Sequence, residues 1–102
     1  MSGEFKGTPG PWKCLREEVN KHYIRISGTK VGERFAVANV LIPLYDDVYE
    51  REAKETRANA QLIAAAPEML DLLVLLLDAQ LLPEFHLNAA NKVVAKALGE
   101  NQ

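Results

Sequence analysis

From Lys21 to Ser27 the chain reads KHYIRIS. His22, Ile24 and Ile26 fall on one side and Tyr23, Arg25 and Ser27 on the other, a period of two that predicts a half-buried strand. Before it, two prolines in Thr8-Pro9-Gly10-Pro11 fix φ and keep their neighbours extended. Trp12 to Arg16 then suits a short edge strand. Glu33 to Ile42 makes a third. Its residues Ala36, Ala38, Val40 and Ile42 oppose Phe35, Val37 and Leu41, so both faces are apolar, which predicts a central strand or one covered on both sides. Between the second and third strands, Gly28-Thr29-Lys30-Val31-Gly32 has the two glycines of a hairpin connection. The expected sheet is three-stranded and antiparallel.

After Pro43 the apolar residues change character. Val, Ile and aromatics give way to Ala and Leu, which suit a helix as the former suit a pleated surface. Asp46 or Asp47 can cap a first helix over about 48–65 by accepting from a backbone N–H. Pro67 ends it and, with Glu68 beside it, opens a second helix over 67–81, since proline fits a first turn and an acid favours that end. Leu82-Pro83-Glu84 repeats the arrangement for a third helix over 84–98, closed by Gly99. Strands first and helices second is an α+β chain rather than an alternating one.

The 102 residues predict a single α+β domain over 1–102 with residues 1–8 as a flexible tail. Hydrophobic residues make up 48% and charged residues 25%, the balance of a globular chain. Twelve Lys and Arg stand against 14 Asp and Glu, a net charge of −2. Residues 1–52 hold 8 bases and 8 acids, and residues 53–102 hold 4 and 6. No surplus of base marks a protein that grips long nucleic acid. Cys14 has no second cysteine to pair with, and the opening MSGEFKGTPGPWK lacks the apolar run of a signal peptide. Both fit a reducing compartment.

Met69 to Leu82 reads MLDLLVLLLDAQLL, with Asp71, Asp78 and Gln80 as its polar residues. The two acids, seven apart, share one stripe, and the rest of the circumference is apolar. A membrane span needs roughly 20 apolar residues, so the run is read as a core helix and no membrane partner is expected. A small domain has limited means to surround such a helix, and an apolar surface left open marks an association site. A homo-oligomer is expected, most simply a twofold dimer.

Motifs for hydrolysis, dinucleotide or phosphate-loop binding and zinc-protease chemistry are absent. His22 and His86 sit on separate elements without companions at metal-ligand spacing, so no metal, cofactor or catalytic residue is assigned. Cys14 reads as a small buried hydrophobe. The pairs Glu17-Glu18 and Asp46-Asp47 fit solvated turns and caps, and Glu50 and Lys54 fit an i,i+4 ion pair. Asn59, a mediocre helix former in mid-helix, calls for a reason: a tether holding the Thr8–Trp12 segment, or a ligand contact beside Arg57, whose guanidinium suits an anion or base. Trp12 fits a packed corner or a stacking platform.

Thr8-Pro9-Gly10-Pro11-Trp12 and the run Ala58-Asn59-Ala60-Gln61-Leu62-Ile63-Ala64-Ala65-Ala66-Pro67-Glu68-Met69-Leu70 together resemble a family of small phage and prophage proteins. That family joins T-P-G-P-W to N-A-x-L-I-A-A-A-P-E-L-L through a variable, strand-rich middle. The resemblance implies a phage setting rather than a reaction, and a fold in which Trp12 and its loop pack against the Asn59–Ile63 face of the helix. In architecture alone the chain is also similar to dimeric phage sponges that sequester cyclic nucleotide signals of host immunity, such as those opposing Thoeris defence. That likeness implies a ligand between protomers, with Trp12, Arg25, Arg57 and Asn59 as the candidate contacts. The expected function is that of a non-enzymatic accessory protein that binds a nucleotide-type signal. The alternatives are a protein-binding inhibitor or assembly component docking through its hydrophobic helix onto a host or phage protein, and a small enzyme without a recognisable motif.

Overall fold

The computed structural model of the chain describes residues 4–16, 21–29, 36–42 and 49–100, and for residues 49–52 the helical backbone alone. Three strands come first: β1 (Trp12–Cys14), β2 (Tyr23–Gly28) and β3 (Ala36–Leu41). Three helices follow: α1 (Tyr49–Ala64), α2 (Ala66–Asp78) and α3 (Glu84–Ala97). This is the α+β order that the change in apolar texture predicts. Residues from Thr8 to Pro67 form one compact unit, and those from Glu68 onward, with those before Thr8, form another. The Asp46 or Asp47 cap, the Glu17-Glu18 pair, the Glu50–Lys54 ion pair and the tip of the Gly28–Gly32 connection lie outside the described residues or side chains.

The sheet runs β1-β2-β3, antiparallel throughout. β2 is therefore the central strand and β3 an edge, the reverse of what the two apolar faces of β3 predict. A bulge accounts for part of that apolar pattern. Ile26 pairs with Ala38 while Ser27 pairs with Ala36. Val37 is the extra residue, an arrangement that sets two successive residues against one on the partner strand. Val37 packs against the core. On the outer face Leu41 is left 72% exposed. The ladder extends past the strand ends, where the Leu15 N–H donates to the Arg25 carbonyl and the Ile42 N–H to the His22 carbonyl, both at 2.8 Å.

Alternation places Ile24 and Ile26 on the buried face of β2, as read from the sequence, while His22 at its mouth is exposed. The core gathers Ile24, Ile26 and Ile42 from the sheet with Ala53 and Ala60 from α1. Trp12, Cys14, Val37, Val40 and Ala64 pack around them. On α1 the inward residues Ala53, Thr56, Ala60 and Ala64 recur at helical spacing, and all are small. Small side chains let a helix backbone come close to the sheet. The Thr56 hydroxyl uses that approach, donating to the Leu41 carbonyl at 3.4 Å and tying helix to edge strand. Next to the bulge, Ser27 is fully buried, with no hydrogen-bond partner for its Oγ among the described residues.

α1 gives way to α2 after one residue, Ala65, with Pro67 in the first turn of the new helix. α2 stops at Asp78, three residues before the expected end, because Gln80 takes a left-handed conformation (φ 57°). The Gln80 N–H donates to the Leu77 carbonyl and the Leu81 N–H to the Leu76 carbonyl, both at 3.1 Å, a Schellman closure. Gly99 (φ 76°) closes α3 in the same way, its N–H donating to Lys96 and that of Glu100 to Ala95. Glycine adopts this conformation without strain, whereas a side chain costs roughly 1–2 kcal/mol there. Part of that gain returns as the greater freedom of an unfolded glycine. Gln80→Gly is therefore expected to stabilise the protein by about 0.5–1 kcal/mol in urea unfolding, and an unchanged or lower midpoint contradicts this account of the helix end.

Candidate functional site

The four residues singled out from the sequence do not converge on one site. Trp12 is half-buried and packs against the core. Its indole N–H donates to the Thr8 carbonyl at 3.0 Å, while the Thr29 hydroxyl donates to the Pro11 carbonyl at 3.1 Å. The T-P-G-P-W segment is thus a corner closed on itself and tied to the end of β2. Its Gly10–Pro11 peptide bond is cis.

Arg57 on α1 lines a cleft of about 150 Å³ with Cys14, Leu15, Ile24, Ala60 and Gln61. Apolar atoms from β1, β2 and α1 form most of its wall, with one guanidinium and one amide among them. Arg25 lies in a separate, shallower depression of about 50 Å³, with Leu15, Arg16, Lys21 and Tyr23. Leu15 belongs to both. Lys21 Nζ stands 5.8 Å from the centre of the Tyr23 ring, within the range of a cation–π contact. Asn59 is exposed on α1 and lines neither depression. The Thr8–Trp12 segment is held instead by the bonds of Trp12 and Thr29, while Thr56, three residues before Asn59 on the inward stripe, ties α1 to β3.

Over residues 1–101 the chain matches a family model described as Salmonella phage P22 protein Y8K6. The chain belongs to that family. No curated protein and no solved structure shows a significant match. Membership of the P22 Y8K6 family makes this a small phage protein, the setting that the two sequence motifs imply.

Sequence reasoning passed over Leu15, Arg16, Lys21, Tyr23 and Gln61 as site residues. For Lys21, Tyr23 and Arg25 a signal was present, since alternate residues of one strand share a face. For Gln61 the signal was the i,i+4 spacing from Arg57 on one helix side. Leu15 and Arg16 follow β1 and come close through pairing with β2, which spacing along the chain does not reveal. Among the described residues no group of His, Cys, Asp and Glu could hold a metal ion.

Burial pushes the Cys14 thiol above its ordinary pKa, because the thiolate is the form that loses water. The thiol is then the dominant species at neutral pH, and the reactive thiolate is scarce. Alkylation of Cys14 by iodoacetamide at pH 7 is expected to run several-fold slower than that of free cysteine, accelerating only in more alkaline solution; equal rates would contradict the burial. For the corner, Trp12→Phe keeps most of the ring but removes its donor to Thr8. It is expected to cost about 1–2 kcal/mol in chemical unfolding, the range for a lost hydrogen bond that leaves a partly buried acceptor. A loss below about 0.3 kcal/mol would mean that the bond does not hold the corner.

Proposed function

We propose that this member of the P22 Y8K6 family is a non-enzymatic phage accessory protein that acts by binding in the host bacterial cytoplasm, and that it works as a pair of chains joined through α2. The observation that carries the reading is the exposure of α2. From Met69 to Asp78 none of its residues is buried, and Leu72 and Leu75 are 55% and 61% exposed. Leu81, Phe85 and Val93 in the same unit are also exposed. Met69 is exposed as well, and exposed apolar side chains amounting to roughly a few hundred Å² on a small monomer mark a contact surface. No single helix among the described residues is long and apolar enough to cross a membrane, and Ala53–Ala64 with Ala66–Asp78 pass that test only as a bent pair; the proposal takes α2 as a protein-facing surface.

The non-enzymatic part of the reading rests on the sequence, which lacks the hydrolytic, redox and phosphate-loop motifs. Sequestration of a nucleotide-type signal is a narrower form of the same proposal. The Arg57 cleft of about 150 Å³ falls short of the roughly 300–1,000 Å³ usual for small-molecule pockets. A nucleotide would therefore need a second chain to complete its cavity, which makes pairing a requirement of that form.

Light scattering on a sizing column tests the pairing. The expected mass is twice the 11.3 kDa of one chain, falling to a single chain for Leu72→Lys with Leu75→Lys while the circular dichroism of the helices is retained. A wild-type monomer at tens of micromolar overturns the pairing and favours docking of α2 on another protein.

A further inference from the structure

Residues 8–42 carry Lys13, Arg16, Lys21, Arg25, Lys30 and Arg34 against Glu17, Glu18 and Glu33, a net charge of +3 in a chain whose total is −2. Of these cations Lys13, Arg16, Lys21 and Arg25 lie among the described residues. All four cations are exposed. Alternation puts Tyr23 and Arg25 on the face of β2 opposite Ile24 and Ile26, and puts Lys13 and Leu15 on the same face at β1. Pairing brings Asn39 beside Arg25 and Leu41 beside Tyr23, and both are exposed. The sheet thus turns one face to α1 and presents on the other a basic surface with a half-buried tyrosine, an amide and an exposed leucine.

We infer that this outer sheet face binds a short single strand of nucleic acid, with Lys13, Arg16, Lys21 and Arg25 meeting phosphates and Tyr23 offering its ring to a base. Complementarity of charge selects a polyanion. The shape narrows the choice: the depression among Arg16, Lys21, Tyr23 and Arg25 measures about 50 Å³, too shallow to enclose a free nucleotide, whereas an open sheet supports a strand laid across it. Stacking of unpaired bases on sheet aromatics, with cations along the backbone, is a general mode of single-strand recognition. Asn39 adds a donor and an acceptor for a base edge. The inference gives the binding reading a ligand class and rests on that reading for the ligand being held rather than converted. It does not depend on pairing through α2, and the two can fail separately.

Fluorescence anisotropy with labelled twelve-nucleotide oligo(dT) and oligo(U) tests it in the intact chain, as a salt series. The affinity is expected to fall as salt rises, with a log–log slope of about −2 to −3, since each phosphate contact on a single strand contributes about −0.7. Lys21→Ala with Arg25→Ala should weaken binding at least tenfold and make the slope shallower by about 1.4. Tyr23→Leu should weaken it about five- to tenfold or more with the slope unchanged, as loss of stacking does. Lys92→Ala with Lys96→Ala on α3, an equal change of net charge, should leave binding as it was. The inference is overturned by absence of binding at 50 mM salt or by equal loss in the α3 variant. It is also overturned by equal affinity for duplex DNA, or by displacement with polyglutamate of matched charge as readily as with unlabelled strand, which would make the face a docking site for acidic protein.

Discussion

The seating of α1 on the sheet is the constraint from which the rest of the structure follows. Its inward stripe is Ala53, Thr56, Ala60 and Ala64, and side chains that small hold a helix to a sheet only at short range. Close approach puts Thr56 within reach of the Leu41 carbonyl and leaves Ile24, Ile26 and Ile42 to supply most of the buried apolar surface. Burial contributes about 0.8 kcal/mol per methylene, so an alanine stripe adds little and the isoleucines much. The bulge at Val37 serves the same contact by adding a branched side chain to the core from a strand that otherwise offers alanine. Six of the chain's fourteen leucines lie on α2, where they are exposed or half-buried.

That distribution gives the two units different surfaces. The sheet unit packs α1 against one face and carries the exposed cations Lys13, Arg16, Lys21 and Arg25. The helical unit has a small buried centre, Ala90 and Val94 on α3, and an apolar exterior including Leu72, Leu75 and Phe85. Basic and apolar surfaces call for different partners: a cationic face gains from neutralising an anion, an apolar one from losing water. The half-buried Cys14, its thiol pushed above its ordinary pKa by desolvation, fits a structural thiol.

The order of elements was legible because β-branched and aromatic residues cluster before Pro43 and Ala and Leu after Tyr49, and local propensity agrees with the final fold in each region. Glycine marked the end of α3 at Gly99. The end of α2 was not marked, because Gln80 does there what glycine ordinarily does. The central strand was misassigned to β3, whose apolar residues include the extra one of a bulge, and a bulge depends on the partner strand as much as on the residues themselves. The candidate site was legible only in pieces. Trp12 fitted a corner or a stacking platform alike, and the bonds at Thr8 and Pro11 that favour the corner join residues whose pairing spacing does not reveal; Thr56, whose helical spacing from Ala53 and Ala60 gave its direction, was passed over. The basic surplus of residues 8–42 escaped notice because a sum over residues 1–52 offsets it with Glu4, Asp46, Asp47, Glu50 and Glu52.

Hydrogen–deuterium exchange of the α2 amides as a function of protein concentration tests most directly whether a second copy covers the leucines. If it does, the amides from Leu70 to Leu77 exchange slowly at high concentration and progressively faster on dilution, while those of β2 stay constant. Protection of α2 that is the same at every concentration would contradict the account.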